Sequence, residues 1–315
     1  MMITLADVQG AAHNIAGRVR RTPVLAADNL KSPLSDGVKV VLKLELLQVT
    51  GSFKARGATN RLLATNAATL QRGIVAASGG NHGLATARAG FVSGVPVTIY
   101  LPDNATPAKI EKLRQWGAET RIVGSVWHEA NAAALEHVAR TGAAYFHPFG
   151  DPLVVAGQGT VALEVLEQVP DVDVMLVAMG GGGLVSGVAT ALKALRPQAR
   201  VVGIEAAGCP VLLKALEAGK NVGLERVTTS VATMACAKTE DAIFEIVRDK
   251  VDEIVLVDDE EMRAAARWLW FEMGLAADLS GAAAIAALRQ GRVRLRPGET
   301  VCAIICGAGP DALLA

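Results

Sequence analysis

The sequence has no long uninterrupted apolar run and no excess of charge of one sign. Glycine, proline or a charged residue interrupts every apolar stretch well short of the roughly 20 residues that span a membrane. The 31 basic and 31 acidic residues cancel to a formal net charge of zero, so no basic excess marks a nucleic-acid partner. The first residues lack the basic segment and apolar block of a secretory signal. We therefore expect a soluble protein with neither a membrane nor a nucleic-acid partner.

Cysteine patterns and metal-ligand patterns are also scarce. The four cysteines form no CxxC pair and are too few for a disulfide framework, which favours a reducing cytoplasm. No two of the five histidines have a metal-ligand spacing such as HxxxH or HExxH, so no metal site is expected. Only His82 is retained as a candidate functional histidine. The others are interpreted as core or surface residues: His13, His128, His137 and His147.

What is present is the alternation typical of an α/β protein. The 315 residues suffice for two domains. Short β-branched runs alternate with Ala-rich stretches of helical period, which indicates mostly parallel sheets covered by helices. The turn-forming residues 147–152 look like a crossing between domains. Strands are predicted at 38–44, 73–77, 97–101, 119–122, 174–178, 201–205, 253–257 and 301–305. Helices are predicted at 5–16, 83–93, 107–116, 126–141, 159–168, 184–195 and 259–273.

The first motif is GSFKARGA at residues 51–58, which follows a predicted strand and opens a helix. A lysine at this place lies in the positive field of the helix N-terminus, which favours the neutral amine that a Schiff base requires. Lys54 is therefore a candidate catalytic residue. Taken alone, such a motif more often marks a solvated lysine on a first helical turn.

Two glycine-containing turns follow, each between a predicted strand and a predicted helix. SGGNHG at residues 78–83 presents backbone N–H groups and small polar side chains to an anion such as a carboxylate, although a chain reversal alone would also explain it. MGGGGL at residues 179–184 allows the backbone to wrap closely round a phosphate. This loop lacks the GK[ST] of a Walker motif and the acidic residue of a dinucleotide site. A ligand with a single phosphate is therefore expected.

In this combination and order, the motifs resemble those of the fold-type II family of pyridoxal-phosphate enzymes, and within it the threonine and serine dehydratases. GQGT at residues 157–160 also matches, and the likeness extends over nearly the whole chain. The resemblance implies two open, mostly parallel sheets covered by helices, similar to the tryptophan synthase β chain. It implies a large cofactor-binding domain made of residues 1–70 and 150–315, and a small inserted domain of residues 71–149 that carries the SGGNHG turn. A homodimer is also implied.

The resemblance further implies a role for each matching residue. Lys54 would hold pyridoxal 5'-phosphate and act as the base at Cα, while Phe53 would pack against the ring and Asn81 would hydrogen-bond its phenolic oxygen. Cys306 would face the pyridine nitrogen. The substrate carboxylate would bind Ser78, Gly79, Asn81 and His82. The phosphate would bind Gly180, Gly181, Gly182, Gly183 and Leu184.

The implied reaction is the dehydration of a β-hydroxy-α-amino acid such as L-threonine or L-serine, which gives a 2-keto acid and ammonia. A thiol with a reference pKa of about 8.5 is a weak proton source for the ring nitrogen, which suits loss of a β-substituent. The alternatives are a dehydratase of a larger substrate such as phenylserine, a β-replacement synthase of the same fold, and an amino-acid racemase. A non-catalytic nucleotide-binding α/β protein would leave the lysine motif unexplained.

Several positions depart from the family pattern. Gly79 stands where serine racemases of this fold have a second serine, which disfavours a two-base racemase. The residues after Glu205 lack the acidic ligands of relatives that bind a divalent cation, so no cation is expected there. Asp278 replaces the glutamate of a Glu-Pro-Ser-Gly segment and is a further candidate beside the cofactor. Residues 230–235 also differ from the family pattern, which leaves the substrate open.

Overall fold

A computed structural model describes residues 2–35 and 37–311, which form ten strands and twelve α-helices. The strands are β1 (Val24–Ala26), β2 (Lys39–Lys43), β3 (Ile74–Ala77), β4 (Val97–Leu101), β5 (Glu119–Ile122), β6 (Ala144–Tyr145), β7 (Val174–Ala178), β8 (Arg200–Ala206), β9 (Glu253–Val257) and β10 (Thr300–Ile304). The helices are α1 (Leu5–Ile15), α2 (Lys54–Leu63), α3 (Ala67–Leu70), α4 (Asn81–Ser93), α5 (Pro107–Gln115), α6 (Trp127–Thr141), α7 (Pro152–Gln168), α8 (Gly183–Leu195), α9 (Val211–Ala218), α10 (Asp241–Lys250), α11 (Asp259–Met273) and α12 (Leu279–Arg289).

The strands belong to two sheets, which confirms the predicted fold class. The larger sheet has the order β1-β2-β10-β7-β8-β9, in which only the edge strand β1 runs antiparallel to its neighbour. The smaller sheet has the order β5-β4-β3-β6 and is parallel throughout. Parallel strands covered by helices on both faces are apolar along their whole length. β7 shows this pattern, because all five of its residues are buried.

All eight predicted strands are present, each within one residue of its predicted bounds. The pattern did not predict β1 and β6, which have three and two residues and are too short for a periodicity signal. The predicted start of α7 at residue 159 is wrong, because the helix begins at Pro152. Asp151 caps it by accepting a hydrogen bond from the Leu153 N–H at 2.8 Å, and a proline fits the first helical position.

Helix α2 joins the two sheets. It packs against α7 of the larger part and α4 of the smaller part, and its Ala55, Ala58 and Leu62 belong to the core of the smaller sheet. Gly57 and Gly157 permit the close approach of α2 and α7, since a Cβ on Gly157 would lie 2.6 Å from the Gly57 Cα. The glycines that interrupt the helical pattern of α7 are therefore packing positions inside the helix.

Within the described residues, no helix combines the length and apolarity that crossing a membrane requires.

Candidate active site

The predicted motifs converge because each follows the carboxyl end of a parallel strand. In the larger sheet β10 lies between β2 and β7. The chain beyond β2 leads to Lys54, the chain beyond β7 leads to the 180–183 glycine loop, and Cys306 lies just beyond β10. The SGGNHG turn follows β3 of the smaller sheet. Crevices at the carboxyl ends of strands are the usual ligand sites of open α/β sheets.

Lys54 is the first residue of α2 and is half-buried. Its ammonium donates a hydrogen bond to the Pro148 carbonyl at 2.6 Å and lies 5.1 Å from the centroid of the Phe53 ring. Burial lowers the pKa of Lys54 to about 8, and the effect of nearby Cys306 only partly opposes this shift. The pKa is thus shifted toward the neutral amine, in the direction that the sequence predicts, but the main cause is desolvation rather than the helix N-terminus.

Backbone hydrogen bonds join the lysine motif to the C-terminal motif. The Phe53 N–H donates to the Cys306 carbonyl at 3.2 Å, and the Ala308 N–H donates to the Gly51 carbonyl at 2.7 Å. Ser52 and Gly307 also form an isolated antiparallel bridge. These bonds fix Lys54 relative to Cys306, although the two residues are more than 250 positions apart in the sequence.

The SGGNHG turn enters α4 without a side-chain cap at Gly80. The amide Nδ2 of Asn81 donates a hydrogen bond to Asp278 Oδ2 at 3.0 Å, so the structure brings these two predicted residues together. The Ser78 hydroxyl accepts a hydrogen bond from the Gly80 N–H at 3.4 Å. Ser78, Gly79 and Asn81 are half-buried, which leaves them accessible to a ligand in the cleft.

His82 has a different environment from the rest of this turn. Its side chain is 2% exposed, and Nε2 lies 2.8 Å from the Phe146 carbonyl. A carbonyl can only accept, so Nε2 carries the proton and Nδ1 is left without a hydrogen-bond partner. Burial lowers the pKa of His82 to about 3, and Lys54 contributes to the shift. The imidazole therefore anchors the turn to the end of β6 and is not directed at a ligand.

The loop at residues 180–183 forms a cradle that excludes side chains. A Cβ on Gly181 would lie 2.4 Å from the Phe149 ring, and one on Gly183 would lie 2.8 Å from the Phe149 carbonyl. Gly182 has a φ of 87°, a left-handed conformation that favours glycine, and it precedes α8 without a side-chain cap. The N-terminal N–H groups of α8 are thereby available to an anion, as a phosphate requires.

Cys306 is buried and has one side-chain partner among the described residues. Its thiol lies 3.7 Å from the Ser280 hydroxyl, within the range of a weak hydrogen bond to sulfur. Burial raises the pKa of Cys306 to about 12, and the nearby Asp278 adds to the shift. The sulfur therefore keeps its proton at neutral pH.

Sequence reasoning missed the segment after β6 as part of this site. Pro148 accepts the hydrogen bond of Lys54, and Phe149 packs against the glycine loop. His147, interpreted from the sequence as a core or surface residue, accepts a hydrogen bond from the Gly150 N–H at 2.7 Å. Burial and Lys54 lower the pKa of His147 to about 4. The cluster of turn-forming residues at 147–152 indicated a crossing between domains, but it did not indicate that this segment contacts Lys54 and the glycine loop.

The carboxylate of Glu205 is hydrogen-bonded to backbone groups of the protein. It accepts hydrogen bonds from the Leu212 and Leu213 N–H groups at 2.8 and 2.9 Å, at the start of α9. Burial raises the pKa of Glu205 to about 7. The described residues contain no group of three or more His, Cys, Asp or Glu side chains arranged to hold a metal ion.

The fold and the site define a pyridoxal-phosphate-dependent enzyme. A family model described as "Pyridoxal-phosphate dependent enzyme" matches residues 15–307, and the chain belongs to this family. The residues present fit the cofactor, because a lysine with a lowered pKa contacts Pro148, and a glycine loop closed to side chains packs against the adjacent Phe149 and leads into an uncapped helix start.

Similar proteins narrow the class. The chain is 39% identical over 310 residues to the L-threonine ammonia-lyase of Thermotoga maritima, covering 98% of this chain and 76% of that protein. It is 35% identical to the phenylserine dehydratase of Ralstonia pickettii, covering 98% and 94%. Maize serine racemase superposes with a TM-score of 0.93 at 31% identity, covering 98% and 94% of the two chains. The threonine deaminase of T.th. has a TM-score of 0.89 at 34% identity, and the match covers 98% of both chains.

Proposed function

We propose that the protein removes the β-hydroxyl group of a β-hydroxy-α-amino acid of the L-threonine or L-serine type and releases a 2-keto acid and ammonia. The observation that carries this proposal is the state of Lys54. Its amine has a pKa of about 8 and donates to a carbonyl, and no carboxylate in the described part of the chain forms an ion pair with it. Such an amine can lose its proton and act as a base near neutral pH. The names of the similar proteins support the substrate class.

The chain's own residues would divide the work of binding and proton transfer. Bound pyridoxal phosphate supplies an electron sink for the bonds at Cα. Lys54 would hold the cofactor, and its amine would take the Cα proton after the substrate has displaced it. Ser78, Gly79 and Asn81, with the backbone of His82, would bind the substrate carboxylate. The cofactor phosphate would lie against Gly180, Gly181, Gly182, Gly183 and Leu184, and Phe53 would pack against the ring.

The environment of Cys306 favours elimination over reactions that need a long-lived carbanion. With a pKa raised to about 12, the thiol would give its proton only weakly to the ring nitrogen it is proposed to face. A weakly protonated ring withdraws fewer electrons, which suits a reaction in which the β-hydroxyl leaves promptly. Gly79 offers no base on the opposite face of the substrate, which speaks against a two-base racemase.

The test is a substrate panel with the cofactor-loaded enzyme. L-Serine, L-threonine, L-threo-phenylserine and their D forms are incubated separately, and 2-keto acid is measured. We expect keto acid from L-threonine or L-serine without any added nucleophile, and none from the Lys54→Ala variant. Faster turnover of phenylserine would identify a larger substrate. Silence across the panel with the cofactor bound would contradict the dehydratase proposal.

We further propose the division into a large domain of residues 1–70 and 150–315 and a small inserted domain of residues 71–149. It is supported by the sheets, because β3 to β6 all fall within the insert and the other strands fall outside it. Limited proteolysis that cuts near residues 70 and 150 would support these boundaries.

A homodimer in the cytoplasm is proposed from the family resemblance. Two large apolar side chains near the end of α11 support a covered surface, since Phe271 is 74% exposed and Trp270 is 45% exposed. Sedimentation of the purified protein as a monomer would contradict the dimer.

A further inference from the structure

The carboxylate of Asp278 connects Asn81 and Cys306, which are proposed to meet the phenolic oxygen and the ring nitrogen of the cofactor. Asp278 is 9% exposed and precedes α12 as its N-cap. Its Oδ1 accepts hydrogen bonds from the Ser280 hydroxyl at 2.7 Å and the Gly281 N–H at 2.6 Å. Its Oδ2 accepts from Asn81 Nδ2 at 3.0 Å. A helix cap needs only the first oxygen, so the second is committed to Asn81.

The direction of these bonds follows from the chemistry of the carboxylate. Burial raises the pKa of the Asp278 carboxyl, and the hydrogen bonds from Ser280, Gly281 and Asn81 oppose this shift. In its ionised form the carboxylate only accepts, so the Ser280 hydroxyl then donates its single proton to Asp278. The Ser280 oxygen then has lone pairs free, and the Cys306 thiol at 3.7 Å can donate to it. The result is one chain of hydrogen bonds that runs from Asn81 through Asp278 and Ser280 to Cys306.

The surrounding backbone leaves space for this carboxylate. A Cβ on Gly307 would lie 2.4 Å from Asp278 Oδ2 and 3.0 Å from Asn81 Nδ2, and one on Gly309 would lie 2.7 Å from the Asp278 Cβ. The Asp278 N–H donates to the Gly307 carbonyl at 3.0 Å. The two glycines after Cys306 therefore admit the bond between Asp278 and Asn81, which any larger residue at 307 would break.

We propose that Asp278 is a positioning residue that fixes the amide of Asn81 and, through Ser280, the thiol of Cys306. One N–H of Asn81 is held by Asp278, which leaves the other directed by the same rigid amide toward the phenolic oxygen of the cofactor. The proton of Cys306 is held by Ser280, so the thiol gives that proton to the ring nitrogen less readily. This inference rests on the proposed placement of the cofactor and not on the identity of the substrate.

The first arm of the test measures the dissociation constant of pyridoxal phosphate from the protein, without any amino acid. Asp278→Asn and Asp278→Ser both keep one oxygen that can cap α12. When that oxygen caps the helix, Asn turns its NH2 group toward Asn81 and Ser has no second oxygen, so neither variant can also accept from Asn81. We expect each to weaken cofactor binding by up to about tenfold, the range of one hydrogen bond. In the presence of Asn81→Ala, neither should weaken binding further, because Asp278 acts through Asn81.

The second arm isolates the branch toward Cys306. Ser280→Ala should change the cofactor dissociation constant by less than about twofold but shift the absorbance maximum of the bound cofactor, because the thiol proton is released toward the ring nitrogen. The matched control is Asp258→Asn, since Asp258 caps α11 at 2.7 Å and is exposed. It should leave cofactor binding, absorbance and the thermal midpoint close to their wild-type values, because Asn also caps a helix.

Three results would overturn the proposal. These are wild-type cofactor affinity in both Asp278 variants, an additive loss in the double variants with Asn81→Ala, or an unchanged spectrum in Ser280→Ala. None of these measurements uses a substrate. If no substrate gave keto acid but the Asp278 and Asn81 variants showed the expected non-additive loss of cofactor affinity, the proposed reaction would be contradicted and the role of Asp278 would still be supported.

Discussion

Lys54 and Arg56 are two basic residues on the same helix, two positions apart, and they differ in their hydrogen-bond partners. Lys54 donates to one carbonyl, and burial lowers its pKa to about 8. Arg56 is 1% exposed and makes hydrogen bonds of 2.7–2.9 Å to both oxygens of Glu45 and both oxygens of Glu164. These partners overcome the cost of burial and raise the pKa of Arg56. Burial alone therefore does not decide the direction of a pKa shift, because two carboxylate partners outweigh it at Arg56.

The arrangement around Arg56 continues on its far side. Lys43 is fully buried and donates to Glu164 Oε2 at 2.6 Å and to the Thr22 carbonyl at 2.8 Å. The two cations and the two carboxylates, Glu45 and Glu164, balance in charge. One side of α2 is thus fixed by a network of ion pairs, and its first turn presents an amine that forms no ion pair with the described residues. A rigid helix that carries such a lysine suits proton transfer at a fixed position.

The largest effect on activity is expected when Lys54 is removed. Lys54→Ala should lower the rate of keto acid formation by about four orders of magnitude, or roughly 5.5 kcal/mol of transition-state stabilisation. The measurement is the steady-state rate with the cofactor present. The unfolding midpoint should stay close to the wild-type value, since Lys54 contributes one hydrogen bond. A variant that kept more than a hundredth of the activity would remove Lys54 as the base.

The next largest effect should be on stability. Arg56→Met removes one member of the buried network and leaves Glu45 and Glu164 with Lys43 as their only cation, which should cost about 3–5 kcal/mol of unfolding free energy. Urea unfolding of the cofactor-free protein checks this value. Keto acid formation at low temperature should fall far less than in Lys54→Ala. Equal losses of activity in both variants would mean that the two cations share one role.

The sequence predicts the fold well and allows candidate site residues to be proposed, because both depend on local signals. Eight strands follow from apolar runs, and Lys54, Asn81 and the glycine loop follow from motifs at the carboxyl ends of three of them. Helices α3, α9, α10 and α12 were not among the predicted helices. For α12 the reason is physical: all but one of its residues are buried, so its sequence lacks the polar face that gives an amphipathic period.

The contacts within the site could not be predicted in the same way. The bond between Asn81 and Asp278 spans 197 positions, and the bond between Lys54 and Pro148 spans 94. No period or motif encodes which side chain reaches which carbonyl across two sheets. The cause of the lowered pKa of Lys54 was also beyond the sequence, because desolvation depends on what packs around the amine.

A smaller effect is expected when the pH is changed, because the pKa of Lys54 is lowered. With a pKa of about 8, the amine is about one-tenth neutral at pH 7 and half neutral at pH 8, so the rate of cofactor capture by the apoprotein should rise about fivefold between them. The rate should level above pH 9, because nearly all of the amine is then neutral. Stopped-flow absorbance measures this rate. A rate that kept rising to pH 10 would mean that the pKa of Lys54 is that of an ordinary lysine and is not lowered by burial.

The smallest effect is expected from an exposed pair that matches Arg56 in chemistry. Arg21 lies 2.9 Å from Glu167, and the side chains are 56% and 67% exposed. Solvent screens such a pair, so Arg21→Met should cost less than about 1 kcal/mol in urea unfolding. The same substitution is used at both sites, so the difference between Arg21→Met and Arg56→Met measures what burial adds to an ion pair once a partner is lost. If the two variants lost the same free energy of unfolding, the burial of Glu45 and Glu164 would add nothing to the cost of losing Arg56. The lowered pKa of Lys54 would then also need a cause other than burial.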